Sequence, residues 1–281
     1  MGGRWRVGDA SIAPVHEIDA GSIIQAGIAA AKPEFLAGIS WLAPHFADSE
    51  GNMKAVVQAF VINLNGTRVL VDTCVGNAKP RPTLPEWSGL ETGFLDRLAE
   101  IDFVICTHFH FDHVGWNTRL AEGKWVPTFP RARYIFTKEE FDYWEAQPEK
   151  ENADDRAGFA DSVLPVVETG LAELVLPDHE VCAGISLLPT PGHTPGHVSV
   201  RVESAGERAI ITGDALHHPC QVAHPEWSEF SDFDPDLARR SRIALLESCA
   251  DSRTLLFGSH FAPPAANMIR READGFRLAL D

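Results

Sequence analysis

Apolar, β-branched segments separated by turn residues recur through the middle and the end of this chain. The two clearest span residues 55–64 and 67–73, and Asn65-Gly66 between them is a dipeptide that strongly favours a tight hairpin turn. Shorter apolar runs predict strands over residues 103–106, 198–202, 209–212 and 254–257. The pattern therefore predicts many short strands, and it joins the first two as an antiparallel pair.

Helix signals fall between these strands. Thr137 and Glu140 have the spacing of a capping box and predict a helix through Trp144. Asp234-Pro235 predicts a second helix start, because a capping side chain is followed by proline. The remaining predictions are a short helix over residues 94–99 with Thr92 as its cap, and an inner face of the second helix at Leu237, Ala244, Leu245 and Ala250.

This alternation predicts an α/β protein with two mixed sheets and helices outside them. No internal repeat divides the chain, so residues 1–281 are predicted to form a single domain. Residues 1–52 and 145–163 are weakly patterned. A surface loop is the favoured interpretation of each, and a flap over a binding cleft is the alternative, with residues 1–52 as an extension that could line it.

Charge, cysteine content and apolar segments limit the partners and the compartment that we expect for this protein. The formal net charge is -16 and no run of Lys or Arg occurs, which argues against a nucleic-acid partner and favours a small-molecule substrate. The five cysteines are scattered and form no CxxC pair, as expected of reduced thiols in a cytoplasmic protein. The apolar stretch at residues 23–31 is too short to span a bilayer, so no membrane association is expected.

The strongest chemical signal is the segment Thr107-His-Phe-His-Phe-Asp-His113, which follows an apolar strand. Imidazole and carboxylate groups are ligands for zinc, iron or manganese. Four such residues within six positions suit two ions, with His108 and His110 at one ion and Asp112 and His113 at the other. Three further ligand-type residues stand beside a glycine or near a strand end, where functional groups tend to be placed: His193, Asp214 and His260.

Taken in order, the His-x-His-x-Asp-His, Gly-His, Gly-Asp and Ser-His motifs resemble the metallo-β-lactamase superfamily. The resemblance spans residues 72–260 and implies the metallo-β-lactamase fold, an αββα sandwich of two mixed β-sheets. It implies a first metal site of His108, His110 and His193, and a second of Asp112, His113 and His260. It also implies that Asp214 bridges the two ions and that Asp72 orients the ligand loop.

Such a centre would hold two divalent ions per chain, zinc being expected first and manganese, iron or cobalt being alternatives. A hydroxide bridging the ions would attack the substrate, and Asp112 could accept the proton. The resemblance therefore implies a metal-dependent hydrolase with no organic cofactor.

Departures from the family's branches favour lactones, aryl esters or phosphotriesters as substrates. Asp214 counts against β-lactams, since β-lactamases of the family generally lack the bridging aspartate. His217 stands where quorum-quenching lactonases carry a tyrosine, and it is predicted to donate a hydrogen bond to the developing oxyanion. The alternatives are a mononuclear iron enzyme of the persulfide dioxygenase type, a thioesterase resembling glyoxalase II, and a metal-binding member without catalysis.

Aromatic residues near the ligand loop or in the N-terminal segment could line a substrate pocket: Trp41, Phe46 and Trp116. An apolar or aromatic substrate group would then be expected. The apolar N-terminal segment is also compatible with a homodimer.

Overall fold

The computed structural model describes residues 3–146, 149, 152–272 and 275–280. The strands are β1 Trp5–Val7, β2 Ala10–Asp19, β3 Val56–Leu64, β4 Thr67–Val71, β5 Phe103–Ile105, β6 Thr118–Ala121, β7 Lys124–Pro127, β8 Arg133–Thr137, β9 Ala172–Val175, β10 Glu180–Cys182, β11 Ile185–Pro189, β12 Val198–Ser204, β13 Glu207–Ile211, β14 Leu255–Phe257, β15 Ala266–Glu272 and β16 Gly275–Ala279. The α-helices are α1 Gly21–Gly27, α2 Pro33–Gly38, α3 Phe111–Val114, α4 Lys138–Ala146, α5 Ala153–Gly158, α6 Leu164–Glu168, α7 Cys220–Ala223 and α8 Pro235–Cys249. A π-helical segment, Phe159–Val163, joins α5 to α6, and 3₁₀ turns occur at Pro85–Trp87, Leu95–Arg97, Gly115–Asn117 and Gly213–Ala215.

Two mixed sheets form the centre of the molecule. The first has the strand order β1-β2-β3-β4-β5-β8-β9 and the second β10-β11-β12-β13-β14-β15-β16. Strands β4, β5, β8 and β9 run parallel, as do β13 and β14, while the other neighbours in these sheets are antiparallel. The predicted fold class, an αββα sandwich of two mixed sheets, is confirmed.

Alternation along the strands separates two apolar layers. Phe60 and Ile62 of β3 pack with Val200 and Ile211 of the second sheet, between the two sheets. The intervening Val61 faces the other way, into a cluster that also holds helical residues such as Trp144 of α4 and Leu246 of α8. Since successive side chains of a strand point to opposite faces, one sequence pattern supplies both layers.

The strand pairs and the α8 start agree with the sequence pattern. Asn65 and Gly66 have φ angles of 52° and 85°, which a tight hairpin turn between β3 and β4 requires. The Asp234 side chain accepts a hydrogen bond from Leu237 N at 2.9 Å, with Pro235 in the first turn. Both predictions are confirmed.

The N-terminal region is more regular than predicted. Strand β2 pairs with β3 along its length and with β1, so the first part of residues 1–52 belongs to the first sheet rather than to a surface loop. Pro14 lies within β2, and a proline in an apolar run argues against a strand when the sequence is considered alone. The short helix predicted over residues 94–99 is a 3₁₀ turn, and Thr92 donates to Glu17 instead of capping it.

Helix α8 buries a different face from the one predicted. Leu245 is buried, but Ala244 is exposed and Leu237 is only half-buried. Arg242 takes a core position because its guanidinium donates to the carbonyls of Ala215, Pro225 and Trp227. A charged residue is not assigned to an inner face on hydrophobicity alone.

Two further features concern the predictions on the cysteines and on membrane association. The cysteines form no disulfide, and Cys182 is half-buried while the other four are buried. Among the residues that the structure describes, no helix combines the length and apolar character needed to cross a bilayer.

Candidate metal centre

The ligand loop, residues 107–113, is held through alternate backbone amides. Thr107 N donates to Asp72 Oδ1 at 2.8 Å, and Phe111 N donates to Asp155 Oδ1 at 3.0 Å. Between them, Phe109 N donates to Glu140 Oε1 at 3.0 Å. Three buried carboxylates therefore fix every second amide of the loop. The residue that follows each held amide is a predicted ligand: His108, His110 and Asp112.

The predicted ligands converge into overlapping groups of three side chains, and in each group the donor atoms lie within 4.8 Å of one another. Two of these groups share no residue: His108, His110 and His193, and Asp112, His113 and His260. A third group, His108, His113 and Asp214, connects them. His110 Nδ1 lies 2.9 Å from His193 Nε2, and His113 Nε2 lies 3.2 Å from His260 Nε2. This division is the one that the family resemblance implied.

Asp214 lies between the two groups. Its Oδ2 is 3.5 Å from His193 Nε2 and 3.3 Å from His113 Nε2. It follows Gly213, whose φ of 52° and close contact with His197 leave no room for a Cβ atom. Asp214 N donates to His197 Nε2 at 2.9 Å, so His197 supports the Asp214 turn.

The outer nitrogens of the histidines are held by other groups. His113 Nδ1 lies 2.9 Å from Asp72 Oδ2, and His260 Nδ1 lies 2.9 Å from the Val56 carbonyl oxygen. His108 Nδ1 lies 3.0 Å from Thr107 Oγ1. Such partners fix the orientation of a ligand ring and leave its other nitrogen free for a metal ion.

The inner atoms fit a bound cation. His108 Nε2 and Asp214 Oδ1 are buried and make no hydrogen bond to the described residues. Burial lowers the pKa of His108 and of His193 well below the usual range, which keeps both imidazoles in the neutral form that binds metals. Unpaired buried polar atoms are costly, and a divalent ion would satisfy them.

His217 lies at the same centre. Its Nε2 is 3.2 Å from Asp214 Oδ2, and its Nδ1 is buried without a hydrogen-bond partner among the described residues. Burial alone would lower the pKa of His217, but the Asp214 carboxylate raises it to about 9. His217 also groups with His193 and Asp214 as a set of potential ligands, so its geometry suits either a hydrogen-bond donor or a ligand.

Asp232 is a functional residue that sequence reasoning missed. Its Oδ1 lies 3.0 Å from His193 Nδ1, and its Oδ2 lies 3.7 Å from Arg242 Nη2. Burial raises the pKa of Asp232, but the hydrogen bond to His193 and the electrostatic attraction of His193, His217 and Arg242 together outweigh it and bring the pKa to about 2. Asp232 is therefore an anion that orients His193, although no local motif marks it.

Replacing Asp232 by alanine is expected to weaken metal binding by about 10–100-fold, the usual effect of losing a carboxylate behind a histidine ligand. Competition with a chromophoric chelator measures this change. Asp236→Ala, an exposed position near the start of α8, is the matched control and should bind as the wild type does. Equal affinity in both variants would show that Asp232 does not support the centre.

Glu140 is the second missed residue. The helix that Thr137 and Glu140 predicted is confirmed as α4, but the Glu140 side chain has a further use that the capping box did not indicate. Its carboxylate accepts hydrogen bonds from Phe109 N, Trp144 Nε1, Thr194 Oγ1 and Gly196 N. A Cβ atom on Gly196 would lie 2.2 Å from Glu140 N, so only glycine allows this approach. Glu140 thus links the loop of His110 to the turn that carries His193.

A cleft of about 270 Å³ opens onto the centre and exposes edges of Asp112, Asp214, His217 and His260. Ile23 and Ile24 of α1 line it, so the N-terminal region does reach the cleft. The predicted pocket aromatics lie elsewhere. Phe46 is fully buried against Phe261, Trp116 is buried with its indole N–H on Glu17, and Trp41 lines a separate cavity. The apolar surface of these three residues packs against other parts of the protein. The prediction that they line the substrate pocket was therefore wrong.

Comparison with known proteins agrees with the fold and the motifs. The family model of the Metallo-beta-lactamase superfamily matches residues 54–260. The N-acyl homoserine lactonase AiiA of Bacillus thuringiensis subsp. kurstaki is 29% identical over 159 residues, 56% of this chain and 55% of that protein. The probable metallo-hydrolase YflN of Bacillus subtilis (strain 168) is 28% identical over 137 residues, 42% of this chain and 45% of that protein. These matches span about half the length of the curated relatives.

Two solved structures resemble nearly the whole chain. They are AidC, a dizinc quorum-quenching lactonase in complex with a product, with a TM-score of 0.78, and the hydrolase AbOPH, with a TM-score of 0.79. Each is 20% identical and aligns 99% of this chain with 97% of its own. At this identity the likeness concerns the fold. Since the family model covers most of the sequence, including every predicted metal ligand, the chain belongs to the metallo-beta-lactamase superfamily.

Proposed function

We propose that this chain is a dinuclear metal-dependent hydrolase for uncharged esters, with lactones and aryl esters as leading substrates and phosphotriesters as the third candidate. One observation carries the proposal: two triads of ligand side chains share Asp214 at the floor of a cleft. The named relatives and structural neighbours, among them lactonases and a hydrolase, support the same reaction class.

Residues at the floor of the cleft have different roles in the proposed reaction. When bound, divalent ions at the two triads supply Lewis acidity and lower the pKa of water toward ~7. Asp112 is the least buried of the ligand carboxylates, with a side chain 14% exposed against 5% for Asp214. Its position at the edge of the cleft suits it to accept a proton and release it to solvent.

The walls of the cleft favour a neutral substrate with an apolar substituent. Ile23, Leu84, Trp87 and Phe230 supply apolar surface, and Phe230 is 80% exposed at the mouth. Besides the predicted ligands Asp112 and Asp214, three carboxylates line the cleft, those of Asp154, Asp155 and Glu229. None of the described residues that line it is a lysine or arginine. An anionic substrate would meet repulsion at this wall, which counts against phosphodiesters and β-lactams.

The second triad separates this proposal from a mononuclear iron oxygenase. One ion needs only His108, His110 and His193, whereas the donor atoms of Asp112, His113 and His260 form a separate group, also within 4.8 Å of one another. A metal analysis of gently purified protein should therefore give two ions per chain. Iron at one ion per chain, together with substrate-dependent oxygen uptake, would favour the oxygenase instead.

A substrate panel tests the proposed reaction directly. The metal-replete protein is incubated with an acyl lactone, an aryl ester, a phosphotriester, a phosphodiester, a β-lactam and a glutathione thioester. We expect cleavage within the first three and little turnover in an Asp112→Ala variant. Cleavage of the thioester alone would favour a glyoxalase-II-like activity, and no cleavage at all would overturn the enzymatic proposal.

Replacing His217 by alanine is expected to lower kcat by roughly 10²-fold, the usual effect of removing one oxyanion donor, while two ions remain bound. Gln at this position keeps an N–H donor and should recover part of the rate. Steady-state kinetics with metal analysis of each variant measures both. Loss of an ion in His217→Ala would identify His217 as a ligand, and unchanged turnover would remove it from the mechanism.

A further inference from the structure

A second cavity, of about 620 Å³, is lined by arginines. We name it the arginine groove and define it by Arg4, Arg68 of β4 and Arg97. It shares no lining residue with the cleft over the metal centre. An inference about the groove therefore does not depend on the proposed hydrolase activity.

The charge of the groove is opposite to that of the chain. The protein carries 40 Asp and Glu against 24 Lys and Arg, yet no acidic residue occurs among the described residues that line the groove. The cleft over the metal centre shows the reverse, with carboxylates and no lysine or arginine among its described lining. Arginines without acidic neighbours in the lining of one groove concentrate positive potential there, although the protein as a whole is acidic.

The groove arginines lack the partners found elsewhere in the molecule. Arg133 and Arg208, for example, each form an ion pair with a glutamate. Within the described residues, the guanidinium groups of Arg4, Arg68 and Arg97 have no carboxylate oxygen within 4.0 Å. The carboxylate beside Arg68, that of Asp102, accepts from the Arg68 backbone N–H at 2.8 Å and leaves the guanidinium free.

Arg68 carries the clearest sign of a missing acceptor. Its Nε is buried and makes no hydrogen bond to the described residues. Arg97 Nη1 donates to the His16 carbonyl oxygen, which fixes the Arg97 side chain at the groove. The other N–H groups of the Arg97 guanidinium remain available. A charged group left without a counter-ion is costly, so an anion in the groove that contacts the accessible part of Arg68 would stabilise this arrangement.

The rest of the lining is mostly apolar, with His16, Gln58 and Asn63 as its polar members. Trp5, Pro14, Val15 and Val61 face the groove. The Trp5 ring is held edge-on by Phe257, with ring centroids 5.4 Å apart at an interplanar angle of 82°. A ring that is fixed in this way offers a preformed surface for a planar apolar group.

We propose that the arginine groove binds a small organic anion, with a carboxylate or phosphate head on the guanidinium groups and an apolar body against Trp5 and Pro14. Guanidinium groups match the geometry of both head groups and bind them through paired, charge-assisted hydrogen bonds. The volume of about 620 Å³ lies within the range usual for small-molecule sites. The apolar lining accounts for an organic anion rather than inorganic phosphate.

Calorimetric titration of the metal-loaded protein tests this proposal. The probes are benzoate, phenyl phosphate, inorganic phosphate and the neutral benzyl alcohol. Since anions can also bind at divalent ions in the cleft, the groove is identified by variants. Arg68→Gln and Arg97→Gln should each weaken one binding event at least tenfold and leave aryl-ester hydrolysis unchanged. That event should also weaken as salt is raised, and the stronger of the two aryl anions identifies the preferred head group.

Arg119→Gln is the matched control, since Arg119 is exposed on β6 and lines neither cavity. It should bind every probe as the wild type does. Arg97 is exposed, so its replacement keeps the test informative even where Arg68→Gln disturbs folding. Anion binding that is unchanged in both groove variants would overturn the proposal, and so would benzyl alcohol binding as tightly as the anions.

Discussion

Replacement of Asp214 by alanine is expected to lower kcat/KM by on the order of 10³-fold or more, about 4 kcal/mol of lost transition-state stabilisation. Its carboxylate lies within 3.5 Å of His193 in one triad and of His113 in the other, so its loss affects both sites at once. The imidazoles would then face one another without the buried anion between them. Kinetics and metal content per chain, measured on the same sample, check the prediction.

The matched control is Asp142→Ala, which removes an exposed carboxylate that contacts Lys138 on α4 and should leave both quantities unchanged. Asp214→Asn separates charge from shape, because the amide keeps one oxygen but not the negative charge. We expect it to lose most of the activity and at least part of one ion. An Asp214→Ala variant that retains two ions and full turnover would contradict the shared role of this carboxylate.

The candidate ligand set could be proposed from sequence because its members are marked by their own chemistry. His108, His110 and His113 stand together after an apolar strand, and that density of imidazoles has few structural explanations. The family's motif order then supplied His193 and His260, and the structure brings both to the same centre. Residues that are rare in cores and grouped in sequence can therefore be found without coordinates.

The residues that hold the ligands could not be found in this way. Asp232 and Asp155 come from segments far from their partners in sequence, and a single buried carboxylate has no local signature. Glu140 did carry a local signal, the capping box, and its tertiary hydrogen bonds overrode it. The pocket aromatics failed for a related reason, since Phe46 and Trp116 are apolar enough to be either core or lining.

Some turns and helix starts are determined by the local sequence, whereas other structural features depend on contacts with distant residues. Asn65-Gly66 and Asp234-Pro235 specify a turn and a helix start through their own backbone preferences. Strand β2 depends on its pairing with β3 and includes Pro14, so its own residues predict it weakly. Arg242 on α8 is buried only because distant carbonyls accept its hydrogens.

Replacing Glu140 by alanine is expected to destabilise the fold by about 4 kcal/mol or more, because four donors lose their acceptor in a buried site. Those donors belong to the His110 loop, to Trp144 and to the turn that follows His193. Burial already raises the pKa of Glu140, against the hydrogen bonds that lower it, so the carboxylate depends on all of its donors. Denaturant unfolding of the metal-loaded protein gives the change in the free energy of unfolding.

The Glu140→Ala substitution should weaken metal binding at the first triad more than at the second. Glu140 fixes both segments that carry His110 and His193, whereas Asp112, His113 and His260 rely on other contacts such as Asp72 and Val56. The ion at the first triad should therefore be released at lower chelator concentration in Glu140→Ala, while the second is held nearly as before. Glu139→Ala, the exposed neighbour on α4, is the control for helix propensity and should resemble the wild type. Equal weakening of both ions would instead mean that Glu140 stabilises the fold as a whole and does not position this triad.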